Sequence, residues 1–310
     1  MIWSTQHALL VSPGVPRVSS RIASKFAGVA VGVATALALT ACGSSDASDK
    51  PQVVASTNVW GNIAATVAGP DATVTALITD PAADPHSHET SAVESAKISD
   101  ADLVVYNGGG YDEFIEKAVS GRDKRTVDAF QSRADKSDEN EHVWYDVTTV
   151  GAVADQIAGA LGEIDSAHAA DYAARAAAFK SQLAGITATT GALATQHPKT
   201  PVLQTEPLAH YLLRAAGAED RTPHEFQEAI EQETDPAPAA VAATRDLLTG
   251  KQVRALVYNV QTQDKITRDL RGLAESNGVA VVEVTETLPE GMDYIQWQTK
   301  NTEALAEALG

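Results

Sequence analysis

Residues 52–58, Gln-Val-Val-Ala-Ser-Thr-Asn, run apolar and end in turn formers, which predicts a short buried strand. Apolar positions over 60–67 then recur at helical spacing, so this part of the chain opens as strand followed by helix. The rhythm repeats with a strand over 74–78, a helix over 91–99 and a strand over 102–107, until Gly108-Gly109-Gly110 breaks it. A charged stretch with few apolar residues, 131–141, predicts an exposed loop. After it Val153, Ile157 and Leu161 mark one face of a helix.

Residues 165–184 contain neither Gly nor Pro and much Ala, which predicts a helical rod of roughly 30 Å. Beyond His197-Pro198 the alternation resumes: a strand over 201–205, a helix over 207–215, and Thr222-Pro223-His224-Glu225, which has capping-box spacing with Pro at the first helical position. Asp235-Pro236-Ala237-Pro238 interrupts. Then come a helix to Leu248, a strand over 254–258, a helix near 266–276, a strand over 279–284 and a last helix over 296–309. No fixed-period repeat is present.

Strands alternating with helices imply an α/β fold with mostly parallel sheets. The 310 residues suffice for two lobes, each a sheet flanked by helices, bridged by one long helix. The boundaries expected are an N-terminal lobe over 52–161, a linking helix over 162–197 and a C-terminal lobe over 198–310. Aromatic residues make up only 5%, which argues against a β-sandwich. The formal charge of −18, from 41 acidic and 23 basic residues, disfavours nucleic acid as a partner and suits attraction of small cations.

The single cysteine, Cys42, excludes an intramolecular disulfide and any site built from several thiolates. Residues 1–41 hold no acid, carry Arg17, Arg21 and Lys25, and run apolar and small over 26–39, as a secretory signal does. That run is short for a membrane span. Leu39-Thr40-Ala41-Cys42 closes it and resembles a bacterial lipoprotein signal. The resemblance implies cleavage of 1–41, lipid on the Cys42 sulfur, and a flexible polar tether over 42–51. The protein would then sit on the outer face of the cytoplasmic membrane, held by acyl chains at about 0.8 kcal/mol per buried methylene.

In parallel sheets ligands bind beyond the carboxyl ends of the strands, and several metal-binding side chains fall there. His86 follows the strand ending near Ile78, Glu206 follows the strand over 201–205, and Glu286 follows the strand over 279–284. His142, at the junction before the helices, completes a set of two imidazoles and two carboxylates. Such a set binds one divalent transition metal; the oxygens lean it toward manganese or iron and the imidazoles toward zinc.

Over residues 53–309 the sequence resembles the zinc- and manganese-binding solute-binding proteins of bacterial ABC importers. Asp84-Pro85-His86-Ser87-His88-Glu89 looks like that family's first-ligand loop and His142-Val143-Trp144-Tyr145-Asp146 like its second. Thr205-Glu206-Pro207-Leu208-Ala209-His210-Tyr211 resembles the third, with the carboxylate that manganese importers carry there. Val284-Thr285-Glu286-Thr287-Leu288 occupies the place of the fourth, commonly Asp. His88 stands where the family has an aromatic, which places it outside the ligand set. The resemblance implies a periplasmic-binding-protein-like receptor whose long helix limits lobe motion. It also implies a monomer that delivers Mn2+ or Zn2+ to an ABC permease and its ATPase.

Two other readings use the same fold: a secreted metallohydrolase with Glu206 or Glu286 as general base, and a surface adhesin. Four protein ligands leave no open position for substrate water, and no His-Glu-x-x-His helix, nucleophile elbow or phosphate loop occurs, so the chain reads as a binding protein rather than an enzyme.

Overall fold

The computed structural model describes residues 50–310 except 81, 82 and 84. Cys42, the signal, most of the tether and Asp84 therefore lie outside the described residues. Strand β1 (Gln52–Thr57) is buried at every position after Gln52, because it sits inside a sheet covered on both faces. It pairs in parallel with β2 (Thr73–Ile78) on one side and β3 (Leu103–Tyr106) on the other, and β4 (Thr126–Asp128) extends the sheet beyond β3.

A second sheet repeats the arrangement. Strand β5 (Pro201–Gln204) lies between β6 (Glu219–Asp220) and β7 (Ala255–Asn259), with β8 (Ala280–Val284) outermost, all parallel. The orders β2-β1-β3-β4 and β6-β5-β7-β8 are equivalent. In each sheet the order reverses beside the first strand, which leaves a crevice beyond the carboxyl ends. The expected α/β architecture of two parallel sheets is observed.

Helices cover both sheets: α1 (Asn58–Ala68), α2 (Ala92–Asp100), α3 (Glu113–Val119) and α4 (Val147–Ile164) follow strands of the first. The long α5 (Ala169–Gln196) leads to the second, which carries α6 (His210–Ala215), α7 (His224–Glu231), α8 (Pro238–Thr249), α9 (Lys265–Asn277) and α10 (Tyr294–Leu309). Capping fixes several starts. Ser91 and Glu94 form a capping box on α2, and Asp293 with Gln296 does so on α10, which therefore begins two residues before Gln296. The box expected at Thr222 does not form. The Thr222 hydroxyl instead accepts from the Gln204 N–H at 2.8 Å, pinning the loop to β5, and Pro223 precedes α7 without a side-chain cap.

Helix α5 starts later and runs further than the rod expected over 165–184. Asp165 is engaged by His168 Nδ1 at 2.6 Å and by the Tyr172 hydroxyl at 3.1 Å, so a turn precedes the helix. Its buried stripe, Tyr172, Ala176, Phe179, Leu183, Ile186, Thr190 and Leu193, continues past Ala184 at alternating spacings of four and three. Gly185 and Gly191 fall on the solvent side and do not stop it. At 28 residues the helix is about 42 Å long.

One apolar core runs through both halves. It joins Val53, Val105, Trp60 and Ile157 around the first sheet to Phe179 and Leu183 of α5 and to Val202, Val257 and Trp297 around the second. The outer faces carry separate cores, with Ile98, Val104 and Ile115 on the first sheet and Leu256, Leu270 and Phe226 on the second. Near its start α5 also closes α1: Arg175 donates to the carbonyls of Val67 and Ala68 at 2.7 and 2.8 Å and pairs with Asp71 at 2.9 Å. Those carbonyls belong to the last turn of α1, where intrahelical partners run out. Arg175→Met is expected to keep the apolar stem but lower unfolding free energy by about 1–3 kcal/mol. Urea denaturation measures this, and an unchanged midpoint and slope would show that solvent satisfies those carbonyls equally well.

Candidate metal centre

The site begins with two loops of the first sheet. His86 lies on the loop after β2, exposed, with its ring edge-on to Tyr111 at 4.8 Å between centroids and 81° between planes. Tyr111 is held by the turn after β3. Gly108 and Gly109 adopt φ of 75° and 69°, and a Cβ on Gly108 would come within 2.5 Å of Asp128 Oδ1, so only glycine fits there. Asp112 closes the turn by accepting from the N–H groups of Asn107 and Gly108 at 2.7 and 2.8 Å. Complete burial pushes its carboxyl up to about 6 despite these bonds.

His142 ends the stretch after β4, immediately before a single 3₁₀ turn (Val143–Tyr145). It is 2% exposed, between Trp144 at 5.1 Å and Tyr111 at 6.2 Å. Burial pulls its pKa down to about 4, so the ring is neutral at physiological pH. Its Nδ1 lies 3.3 Å from Asn140 Oδ1, an atom that can only accept, while Asn140 Nδ2 donates to the Pro207 carbonyl at 3.0 Å. That bond places the ring proton on Nδ1 and leaves the Nε2 lone pair as the available donor.

The second sheet supplies the facing wall. Glu206 stands immediately beyond β5 and is 6% exposed; Pro207 then starts a 3₁₀ turn (Pro207–Ala209). Glu286 follows β8 and is oriented by both halves of the molecule. Asn259, at the end of β7, donates to its Oε1 at 2.8 Å, and the Tyr111 hydroxyl donates to its Oε2 at 3.3 Å. Its own N–H donates to Gln261 Oε1 at 2.5 Å.

His86, His142, Glu206 and Glu286 all line one cavity of about 660 Å³. The tightest cluster within it is His86, Glu141 and His142, whose donor atoms lie within 4.8 Å of one another, the one such group among the described residues. Glu206 and Glu286 share the cavity but stand outside that cluster. His88 is not part of the lining: its Nε2 meets Glu94 Oε1 at 3.1 Å and its ring packs on Phe114. The acidic stretch before His142 is strapped to the second half, since Asp138 accepts from His210 at 2.9 Å and the Tyr211 hydroxyl donates to the Asn140 carbonyl at 2.7 Å.

The sequence does not single out four further carboxylates of the lining, of which Glu113 and Glu233 are exposed and Glu141 and Glu231 half-buried. Glu141 precedes His142 and was read only as the edge of an acidic loop. Glu231 is the last residue of α7, where the helix dipole disfavours an anion, and that misplaced charge was the signal available. Burial and the charges of Glu141, Glu206 and Glu286 hold the Glu231 carboxyl well above the ordinary range. The neutral His142 ring and a second imidazole among crowded carboxylates are suited to binding a divalent cation, which relieves the repulsion.

The family described as zinc-uptake complex component A, periplasmic, matches residues 53–308. The metal ABC transporter substrate-binding lipoprotein ScbA of Streptococcus cristatus is 22% identical over 300 residues, 87% of this chain and 94% of its own length. The manganese-binding lipoprotein MntA of Bacillus subtilis (strain 168) is 24% identical over 245 residues, 74% of this chain and 78% of its own. Among solved structures, the periplasmic zinc-binding protein TroA from Treponema pallidum superposes with a TM-score of 0.70 at 18% identity, over 84% of this chain and 99% of its own. With the match spanning both sheets and every residue of the cavity, this chain belongs to the periplasmic zinc-uptake component A family, whose members are solute-binding receptors of ABC importers and not enzymes.

Proposed function

We propose that this protein captures one divalent transition metal between its two lobes, through His86, His142, Glu206 and Glu286, and delivers it to an ABC permease. The observation that carries this reading is the convergence of two imidazoles and two carboxylates, from four loops far apart in sequence, on one cavity. The carboxylate share favours manganese over zinc, with iron a third option. Relatives named for manganese and for zinc are both compatible with that set. The lobes proposed, 52–161 and 198–310 with 162–197 between them, each supply two of the four ligands.

Lipid on Cys42 would hold the receptor beside its permease, and the naming of relatives as lipoproteins supports this. The Cys42→Ser protein is expected in the soluble rather than the membrane fraction. Purified in that form, it should gain about 2.7 kcal/mol of stability at a metal concentration one hundredfold above Kd. Thermal unfolding with manganese or zinc reads the gain. His142→Ala should lose most of it and His88→Ala should keep it. Retention of Cys42→Ser in the membrane contradicts the anchor; an undiminished shift in His142→Ala contradicts the site.

The buried imidazole also sets a pH response in the metal-free protein. The folded value of about 4 lies below the unfolded 6.5, so between them the unfolded chain binds the proton and the folded one does not. The contribution is complete above 6.5 and is lost as pH falls toward 4, a loss of about 3 kcal/mol. His142→Gln is therefore expected to lose that much less stability than wild type between pH 7 and 4 in denaturant titrations. Parallel losses in the two proteins would mean that His142 is already charged or solvated in the fold.

A further inference from the structure

Glu231 approaches the cavity from the end of α7, in the second half of the molecule, and meets His142 of the first. Its Oε1 lies 3.7 Å from His142 Nε2. That oxygen is buried and makes no hydrogen bond. The facing nitrogen carries a lone pair rather than a proton, because Nδ1 holds the proton against Asn140 Oδ1. At 3.7 Å the two atoms are too far apart for a hydrogen bond, so the pair stays unsatisfied even where the carboxyl holds a proton, and a cation within reach of both would displace that proton and take both lone pairs. Bonds of about 2.1 Å allow two donors on one ion to stand up to about 4.2 Å apart, and 3.7 Å falls inside that limit.

We propose that Glu231 is a further metal ligand, sharing with His142 the ion held by His86, Glu206 and Glu286. This rests on the metal-receptor reading above and extends it. A fifth protein ligand, and a third carboxylate, moves the site away from a four-coordinate tetrahedral shell and toward the higher coordination and oxygen preference of manganese. Glu231 also shares a hydrogen bond with Glu141, so one carboxyl group faces both the cavity and the loop that carries His142. Metal capture through Glu231 would therefore draw α7 and that loop onto the same ion.

The experiment compares wild type with Glu231→Gln, Glu231→Ala and Glu225→Gln, the last an exposed carboxylate on the same helix. Competition titrations give manganese and zinc affinities, and the visible absorption of bound Co2+ reports coordination number, rising as the shell falls toward four. Glu231→Gln is expected to weaken manganese about tenfold or more and zinc by about threefold or less, with stronger Co2+ absorption. Glu231→Ala should act in the same direction, and Glu225→Gln should match wild type. A carboxylate that only positions a ligand can also cost about tenfold in affinity, so the spectrum decides between the roles. Equal losses for both metals with an unchanged Co2+ spectrum would overturn the proposal, as would unchanged affinities. Wild type that binds neither metal would end the receptor reading too, which separates that failure from one confined to Glu231.

Discussion

Carboxylates gathered out of water repel one another, and the cleft of this protein gathers Glu141, Glu206, Glu231 and Glu286 around one cavity. Burial, together with this repulsion, holds the Glu231 carboxyl toward its neutral form. No cation from the protein's own side chains lines that cavity among the described residues. The fold must therefore hold these groups in place by other means, and it does so with neutral hydrogen-bonding groups. Asn259 and Tyr111 hold Glu286, and Asn140 fixes the tautomer of His142. Each of these neutral groups orients its partner without supplying a counter-charge, and an incoming divalent ion would offset the repulsion.

Such a site needs walls that stay in register. The apolar core continues through both sheets, and α5 lies along it with a buried stripe from Tyr172 to Leu193. Polar clasps add to this: Asn58 exchanges two hydrogen bonds with Leu288, both at 3.0 Å, and Tyr294 donates to the Trp144 carbonyl at 2.6 Å. The halves are joined by packed side chains as well as by chain crossings. Large opening would expose the shared core, which disfavours wide separation of the two halves.

The parallel architecture was legible because apolar strands and amphipathic helices alternate cleanly, and the rule about carboxyl ends of strands led directly to His86, Glu206 and Glu286. What escaped was short or held by distant partners. Strand β6 is two exposed acids, Glu219 and Asp220, and β4 has one buried residue, so neither shows a strand pattern. The Thr222 cap looked correct locally and failed because its hydroxyl bonds to the backbone of β5. The bond from Tyr111 to Glu286 spans 175 positions, and no local pattern encodes it. Glu231 is a similar case, placed opposite His142 by the packing of α7 and not by any motif around it.

The central claim is that one metal binds where the two halves of the chain meet. Crystals grown with manganese and measured at its absorption edge test it most directly. The account expects a single strong anomalous peak in the cavity, within about 2.0–2.3 Å of an imidazole nitrogen from each of His86 and His142 and of carboxylate oxygens from Glu206 and Glu286. A peak bonded to neither imidazole, or ions found only on the outer acidic surface, would contradict it.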